Sequence, residues 1–435
     1  MRRPTAWIAA LVVLLVAGAL AAGYLGTGWP VLPGGWPRPG AGGPTRAEVA
    51  FAWPEYTARL AVPAEGQAAL ARALARTRPA APGPGSAAAR PGPHFAYWVL
   101  DVTGPGRSRQ RLWISPDGRF FAAGRGPLVG TEPLWEAVRP WLRRLEAAFF
   151  GAPLPWPEVD RLWPRDAVAV LRDLESGRRL QVARYGGYQH ADAEPLTAAD
   201  TAVLRSLYGG QWSWRRRAVV LEVAGRRVAA SINGMPHGEG VVAGNGFPGH
   251  FCVHTLSSTT HVRDRVDPGH HLMVLKSSGR LVHRLRAAPP HVVATWLLVA
   301  LANGDAATAA HMVSDPRDPG WPALSSRLTR ELQFVEIERA ATTARDDGRA
   351  RVRLVGMAYY TGGHPPARLD LAWPMARSDG FWTLPAGELA RLLPPAESPA
   401  RGAAEPGGAT AAAPGAAAAR DRAIPPVPVA AGSSC

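Results

Sequence analysis

The sequence predicts a mixed α+β protein that begins with a membrane helix. Three patterns indicate this class: an uncharged apolar run near the N-terminus, short strand-like runs through the middle of the chain, and one strongly apolar helix followed by more strands. The 435 residues are enough for two or three domains. After the membrane helix we therefore expect an N-terminal α/β region, a central β-rich domain of catalytic type, and a C-terminal α+β domain built from a helix and a meandering sheet.

The N-terminal segment predicts export. Met1-Arg2-Arg3 precedes an apolar run, residues 6–25, that carries no charge. About 20 apolar residues span a bilayer as a helix, and the two arginines resist translocation. Cleavage at Ala19-Leu20-Ala21 would make this stretch (1–25) a signal peptide, but the apolar character continues past that site and favours an uncleaved anchor. We expect a single-pass protein of the cytoplasmic membrane with the bulk of the chain outside, or a secreted protein if cleavage occurs.

The charge pattern argues against nucleic acid as a partner. The net charge is +15, and because Lys276 is the only lysine, 48 of the 49 basic residues are arginine. These arginines are scattered singly or in short groups among abundant Ala, Gly and Pro, which indicates a compositional bias and not a basic binding stripe. A surface of this sign is instead attracted to an anionic cell envelope.

Pro/Gly punctuation and periodicity divide the first part of the chain. Residues 26–45 are dense in Gly and Pro and predict a linker. An N-terminal α/β region is expected over 46–155, with helical spacing at 67–76 and 135–150. This region shows no catalytic pattern.

The central β-rich domain is expected over 156–288. Thr197 predicts the N-cap of a helix that ends at residue 207, with Asp200 three residues on. The strand-like runs 218–223 and 227–232 flank Ala224-Gly225 and predict a hairpin. This hairpin leads into the segment that holds a cysteine and several histidines.

The third region, 289–396, combines one helix with strands. Residues 291–303 are strongly apolar and end at Gly304, and strand-like runs follow from residue 332 to residue 384. In this order of elements the region resembles small cone-shaped domains of the nuclear-transport-factor-2 type, which implies a spacer or binding module. The Ala/Pro/Gly-rich tail, 397–435, is expected to be disordered.

The two cysteines point to a free thiol. Cys435 ends the tail, so a defined disulfide with Cys252 is not expected, and a free thiol in an exported protein calls for an explanation. In an extended segment His250, Cys252 and His254 share one face. Two imidazoles that flank a thiol can activate it and carry its proton.

This segment resembles the catalytic domain of L,D-transpeptidases, whose signature is His-Gly-Thr, a loop, then Ser-His-Gly-Cys-Ile-Arg. His237-Gly238 matches the first pair, and His250, Cys252 and Val253 match the second block, with 15 residues between His237 and Cys252. The resemblance covers residues 217–276. It implies that Cys252 attacks a peptidoglycan stem-peptide carbonyl, that His237 is the base, and that His250 shapes the site. No cofactor is implied on this route.

Four further positions are expected to contact the substrate or the oxyanion. These positions are Gly238, Gly249, Phe251 and His254. Gly246 and Gly249 let the backbone approach closely, and amides near Phe251 and Cys252 are candidate oxyanion donors. The chain departs from the signature at three of these positions, and Gly249 stands where the signature has serine. Phe251 replaces a glycine where a small residue admits substrate, and His254 replaces an arginine, which is the stronger carboxylate ligand.

A metal centre is the alternative from the same residues. His190 and Asp192 would share one face of an extended segment, and with His250, Cys252, His254 and His261 they offer N, S and O ligands for tetrahedral zinc. This zinc site would make the protein a peptidoglycan hydrolase, although the spacing matches no strong zinc signature. The alternative is a purely structural role for His190 and Asp192, in a turn where the carboxylate of Asp192 accepts hydrogen bonds from backbone amides.

Three functions therefore stay open on the sequence alone. The preferred one is a cysteine-dependent acyltransferase or peptidase that acts on peptidoglycan stem peptides. The second is a zinc-dependent peptidoglycan hydrolase. The third is a non-catalytic wall-binding or scaffold protein that keeps the fold.

Overall fold

A computed structural model describes residues 46–394, apart from 54–55, 57, 81–96, 105–108, 123–125, 261–263 and 317. The predicted membrane segment, linker and tail, together with Cys435 and His261, lie outside the described residues. The described chain is a mixed α+β protein with two open sheets and a closed barrel, which confirms the predicted class in its coarse form. Among its helices, none combines the length and the apolar character needed to cross a bilayer.

The chain divides into two compact units. The first is Met1–Phe150 with Pro316–Asp318, and the second is Gly151–Asp315 with Pro319–Cys435. The second unit contains both the barrel and the C-terminal sheet, so the predicted division at residue 288 lies inside it.

The first unit is built on a seven-stranded antiparallel sheet in the order β2-β1-β4-β5-β6-β7-β3. Its elements are β1 (Arg46–Phe51), β2 (Arg59–Val62), α1 (Ala64–Leu74), β3 (Arg78–Pro79), β4 (Trp98–Thr103), β5 (Arg109–Ile114), β6 (Phe120–Ala122), β7 (Gly126–Val129) and α2 (Glu132–Phe149). Helix α2 begins earlier than its apolar periodicity indicated, because Glu132 and a proline suit its first turn. Phe51 is the centre of a buried aromatic cluster that stabilises this unit, with Tyr56, Tyr97, Phe149 and Phe150 within 5.8 Å between ring centroids.

The barrel has six strands in the order β10-β13-β12-β11-β8-β9, and β9 pairs with β10 to close it. Its elements are α3 (Trp156–Leu162), β8 (Val168–Asp173), β9 (Arg179–Gly186), β10 (Ala191–Pro195), α4 (Ala198–Leu207), β11 (Arg217–Val223), β12 (Arg226–Ile232) and β13 (Phe251–His254). Two local predictions are confirmed. Thr197 and Asp200 form a capping box at α4, and Ala224 and Gly225 form the hairpin turn between β11 and β12, both with positive φ as a type I′ turn requires.

The interior of the barrel is apolar. Alternate side chains of each strand point inward, and small alanines of β10 and β12 leave room for larger groups. Phe251 and Val253 of β13 belong to this core, together with Leu171, Val182 and Ile232. The intervening side chains of β13 therefore lie on the other face of the strand.

The C-terminal part of the second unit packs helices on a four-stranded antiparallel meander, β14-β15-β16-β17. Its elements are α5 (Pro268–Ser277), α6 (Leu281–Ala287), α7 (Pro290–Ala302), α8 (Ala306–Ala310), α9 (Trp321–Glu331), β14 (Leu332–Asp346), β15 (Arg349–Tyr360), β16 (Ala367–Ser378), β17 (Phe381–Thr383) and a 3₁₀ helix (Ala386–Leu392). Helix α7 is almost entirely buried against β14 and β15. The strand-like run 332–337 is only the first part of β14, which continues to Asp346; its second half is largely exposed and has no apolar alternation that the sequence could show.

Helix α5 joins the barrel to the C-terminal helices. It packs on β11 and β12 on one side and on α7 on the other. At its end the fully buried Lys276 donates to Glu175, next to the barrel strand β8, and to Asp305 at the start of α8, at 2.7 Å each. The charge of Lys276 lowers the pKa of Glu175 to about 2. Since an unperturbed carboxyl has a pKa of about 4.5, this stabilisation is complete above pH 4.5 and is lost as the pH falls towards 2.

Replacement of Lys276 by Met should destabilise the second unit. Removal of the cation leaves Glu175 and the buried Asp305 without it, and breaking a buried pair in this way costs about 3–5 kcal/mol. Urea denaturation followed by circular dichroism would measure this loss. Arg353→Ala, which removes an exposed pair with Asp370, is the control and should leave the midpoint unchanged. Equal midpoints for Lys276→Met and the parent protein would contradict the assignment.

Candidate functional site

Strand β13 places the cysteine beside an acidic neighbour. β13 pairs with β10 on one side, where Cys252 lies opposite Asp192, and with β12 on the other, where His254 lies opposite Ser231. Cys252 and His254 point away from the apolar core that contains Phe251. The strand therefore presents one thiol and one imidazole on a polar face.

His237 reaches this face through a short backbone bridge. His237 and His250 exchange two hydrogen bonds, of 3.0 Å from the amide of His237 and 2.9 Å from the amide of His250. Glycine is required on both sides of this bridge. A Cβ on Gly238 would lie 2.4 Å from Cε1 of His250, and a Cβ on Gly249 would lie 2.6 Å from the carbonyl oxygen of His237. Gly249 also has a φ of +123°, which favours glycine.

The bridge brings an imidazole to the sulfur. Nε2 of His237 lies 3.3 Å from Sγ of Cys252. Nδ1 of His237 donates to the carbonyl oxygen of Met235 at 2.9 Å. Because a carbonyl only accepts, the proton of the neutral ring is on Nδ1 and the lone pair of Nε2 faces the thiol. This is the arrangement of a nucleophile and its general base.

His250 is held by polar partners at its own edge of the site. Its Nδ1 lies 2.9 Å from the hydroxyl of Tyr185 and 3.0 Å from the carbonyl oxygen of Glu239. Its Nε2 is 3.8 Å from the carboxylate of Asp192, and its ring centroid is 4.4 Å from that of His237. His250 thus packs against His237 and is held there by its own polar partners.

A buried carboxylate fixes the loop between the two halves of the motif. Glu194, fully buried on β10, accepts hydrogen bonds from the amides of Val241 (2.6 Å) and Val242 (3.1 Å) and from the side chain of Asn245 (3.2 Å). Asn245 in turn donates to the carbonyl of Pro195. The loop that carries Gly238 to Gly249 is therefore tied to the barrel, and the register of the histidine bridge is tied with it.

The environment keeps the thiol protonated in the resting state. Burial, and then the charge of Asp192, raise the pKa of Cys252 to about 12, whereas a hydrogen bond with the side chain of Asn233 lowers it. Only 8% of Cys252 is exposed to solvent. The sulfur is therefore a neutral thiol that needs a base to react.

Three imidazoles are stacked behind the thiol. The ring of His254 lies between those of His190 and His270, with centroid distances of 4.1 and 3.8 Å. Burial lowers the pKa of His254 and of His270 well below the ordinary range, so both rings are neutral at pH 7. His270 belongs to α5, where Asp267 caps the helix by accepting a hydrogen bond from the amide of His270.

The structure brings the predicted catalytic residues His237, His250 and Cys252 together, but it gives the predicted substrate contacts other surroundings. Phe251 lies in the barrel core and His254 in the imidazole stack, so neither side chain is on a surface that a peptide substrate could contact. The amide of Gly249 already donates to the carbonyl of Phe247 at 3.1 Å. For Phe251 the physical reason is side-chain alternation, because Phe251 cannot share a face of the strand with its neighbour Cys252.

The predicted metal ligands are divided in a similar way. Asp192 lies on strand β10 and not in the turn that was the alternative explanation. His190 and His254 have donor atoms within 4.8 Å of each other and of Cys252, whereas Asp192 and His250 are not part of that group. His261 is outside the described residues.

Several residues of the site were not singled out in the sequence. Tyr185, Glu194 and Asn233 carried no motif, and only the barrel register places them near residues far along the chain. Trp214 is 47% exposed and packs on His237 with ring centroids 4.9 Å apart. The signal for Trp214 in the sequence was its position two residues after Trp212.

Comparisons with known proteins return no matching family model and no matching curated protein. The site is therefore interpreted on its own geometry.

The rate of Cys252 alkylation by iodoacetamide should increase about tenfold per pH unit from pH 7 to 10, since the reactive thiolate is the minor form below a pKa of about 12. Asp192→Asn removes a negative charge near the sulfur, so at fixed pH its rate should be higher. Peptide mass spectrometry separates Cys252 from Cys435, and Asp346→Asn on β14 is the control. A rate in Asp192→Asn equal to or below that of the parent protein would contradict this electrostatic account.

Proposed function

We propose that this protein is a cysteine-dependent acyltransferase or peptidase of the cell envelope that acts on peptidoglycan stem peptides, with Cys252 as nucleophile and His237 as base. The observation that carries the proposal is the 3.3 Å contact between Sγ of Cys252 and Nε2 of His237, with the tautomer of His237 set by Met235. The substrate class comes from the resemblance of His237-Gly238 and His250-x-Cys252 to the L,D-transpeptidase signature.

The first chemical step is acylation of the sulfur. As Sγ bonds to the peptide carbonyl carbon, the thiol proton moves to Nε2 of His237. Collapse of the tetrahedral intermediate breaks the peptide C–N bond, and the leaving amine takes that proton from His237. The product is a thioester on Cys252 and a neutral imidazole.

The second step releases the acyl group. An acceptor amine, or water in a peptidase, attacks the thioester carbonyl and gives its proton to His237. The C–S bond then breaks and the sulfur regains the proton, which restores the resting pair. The high pKa of the thiol makes proton transfer to His237 part of the attack, so the base is required and not merely helpful.

Trp214 supplies a surface beside the base for part of the substrate. Its ring is half exposed and lies against His237, so a group bound on it lies close to the dyad. His250, Tyr185 and Asp192 hold the opposite side of the pair. The barrel thus offers rigid support to both reacting groups.

The same proposal places the protein outside the cytoplasm. It rests on Met1-Arg2-Arg3 followed by the uncharged apolar residues 6–25. Peptidoglycan is found on that side of the membrane, so the location and the substrate agree.

Cys252→Ala should abolish the acyl-enzyme that forms with a carbapenem or a stem-peptide donor, because no other described side chain occupies the nucleophile's place. His237→Ala should slow acylation by about 10²–10⁴-fold, the usual contribution of a general base. Intact-protein mass spectrometry over time measures both effects, and His364→Ala, on the turn between β15 and β16, is the matched control. Full acylation of Cys252→Ala would eliminate the proposal.

A reporter fused after residue 394 tests the location. Alkaline phosphatase, which folds only outside the cytoplasm, should be active there, and replacement of four apolar residues within 6–25 by Asp should abolish that activity because the segment then no longer inserts. A cytoplasmic reporter at the same position gives the complementary readout. Activity of only the cytoplasmic reporter would refute the envelope location.

A further inference from the structure

The sulfur of Cys252 has a second set of neighbours that the dyad does not use. His237 approaches it from the loop, whereas His190 and His254 lie behind it, and one donor atom from each of Cys252, His190 and His254 lies within 4.8 Å of the other two. All three side chains are buried. Two imidazoles and a thiolate are a preferred ligand set of zinc.

The ring of His190 is fixed in the tautomer that a metal needs. Nδ1 of His190 donates to the carbonyl oxygen of Thr259 at 2.8 Å, so in the neutral ring the lone pair is on Nε2. Thr259 is itself held, because its amide donates to Gln189 and its hydroxyl to Asp264. A hydrogen bond from the other ring nitrogen to a backbone carbonyl is the usual outer support of a metal-binding histidine.

His254 has an unused nitrogen. It is 2% exposed, and its Nδ1 has no hydrogen-bond partner among the described residues. Its neighbour His270 is committed elsewhere, since Nδ1 of His270 lies 2.9 Å from the hydroxyl of Ser231. A buried polar atom without a partner is costly unless a ligand satisfies it.

The local charge also favours a cation. The carboxylate of Asp192 lies 3.5 Å from Nε2 of His190, on the strand opposite Cys252. Together with a thiolate it supplies two negative charges, which match a divalent ion in a buried place.

We propose that His190, Cys252 and His254 bind a zinc ion and that this ion reversibly blocks the thiol. Zn²⁺ forms a bond to Sγ and displaces the thiol proton, which leaves to solvent, so no oxidation or reduction occurs. The electron pair of the sulfur is then held by the metal and cannot attack a carbonyl. The inference goes beyond the proposed acyl transfer, because it concerns the regulation of the nucleophile.

Closure of the site requires a small movement. Donor atoms of a tetrahedral zinc site lie about 3.3–3.6 Å apart, and a metal lies near the plane of each ring that binds it. The rings of His190 and His254 are nearly parallel, with 17° between their planes, so one must rotate out of the stack. Loss of this stacking opposes binding, and we therefore expect an exchangeable ion that chelators remove.

The test uses the full chain in detergent with Cys435→Ser, so that Cys252 is the single thiol. After removal of metal with EDTA, zinc chloride is titrated, bound zinc is counted by elemental mass spectrometry, and alkylation of Cys252 by iodoacetamide is timed. We expect one zinc ion per chain and an alkylation rate at least about tenfold lower at saturation, restored by EDTA. His190→Gln and His254→Gln should each weaken zinc binding by at least about tenfold, the smallest effect seen even for outer-shell partners. His364→Ala, in the same background, should bind as the parent does.

The inference is overturned by any of three results: no stoichiometric zinc, equal zinc affinity in the parent and both glutamine variants, or unchanged alkylation of the zinc-bound protein. His237→Ala keeps the two proposals apart, since it should lose acylation and retain zinc binding. Acylation that fails in the metal-free parent, with zinc bound through His190 and His254, would reject the proposed function alone.

Discussion

The contact between sulfur and imidazole depends on two backbone hydrogen bonds between His237 and His250. Cys252 is held by the barrel, whereas His237 belongs to a loop, and this bridge ties the loop to the segment that leads into β13. The bridge exists because residues 238 and 249 have no side chain, and a Cβ at either position would clash with a histidine. Glu194 then holds the intervening loop from inside the barrel. The contact between His237 and Cys252 therefore depends on the backbone geometry of residues 237–250 as well as on the two side chains.

Burial raises the pKa of the Cys252 thiol and lowers the pKa of the His254 and His270 imidazoles. The low-dielectric surroundings disfavour the charged form of every group, so they keep Cys252 protonated and His254 and His270 neutral. The resting thiol and imidazole are both neutral. In the proposed reaction the sulfur therefore becomes nucleophilic only as its proton leaves during attack on the substrate. The same neutral imidazoles are good ligands for a soft cation, so one environment favours both acyl transfer and metal capture.

The imidazole stack also connects the site to the rest of the second unit. His270 belongs to α5, which packs on the barrel and on α7, and the same helix carries Lys276 with its two buried carboxylate partners. A shift of α5 would therefore move His270 against His254. His254 lies two residues after Cys252 on the same strand. The C-terminal sheet and its helices are in this way part of the support of the site and not a separate appendage.

Local patterns in the sequence determined much of the chain. The capping box at Thr197, the Ala224-Gly225 turn and the helix α7 depend on neighbours within a few residues, and periodicity shows such features directly. Alternation along β13 likewise placed Cys252 and His254 on one face. The closure of the barrel, the opposition of Asp192 and Cys252, the burial of His254, and the grouping of His190 with Cys252 and His254 were decided only by tertiary structure. These depend on strand register between segments about 60 residues apart, and a sequence carries no local signal for a register that is set by packing of the whole core.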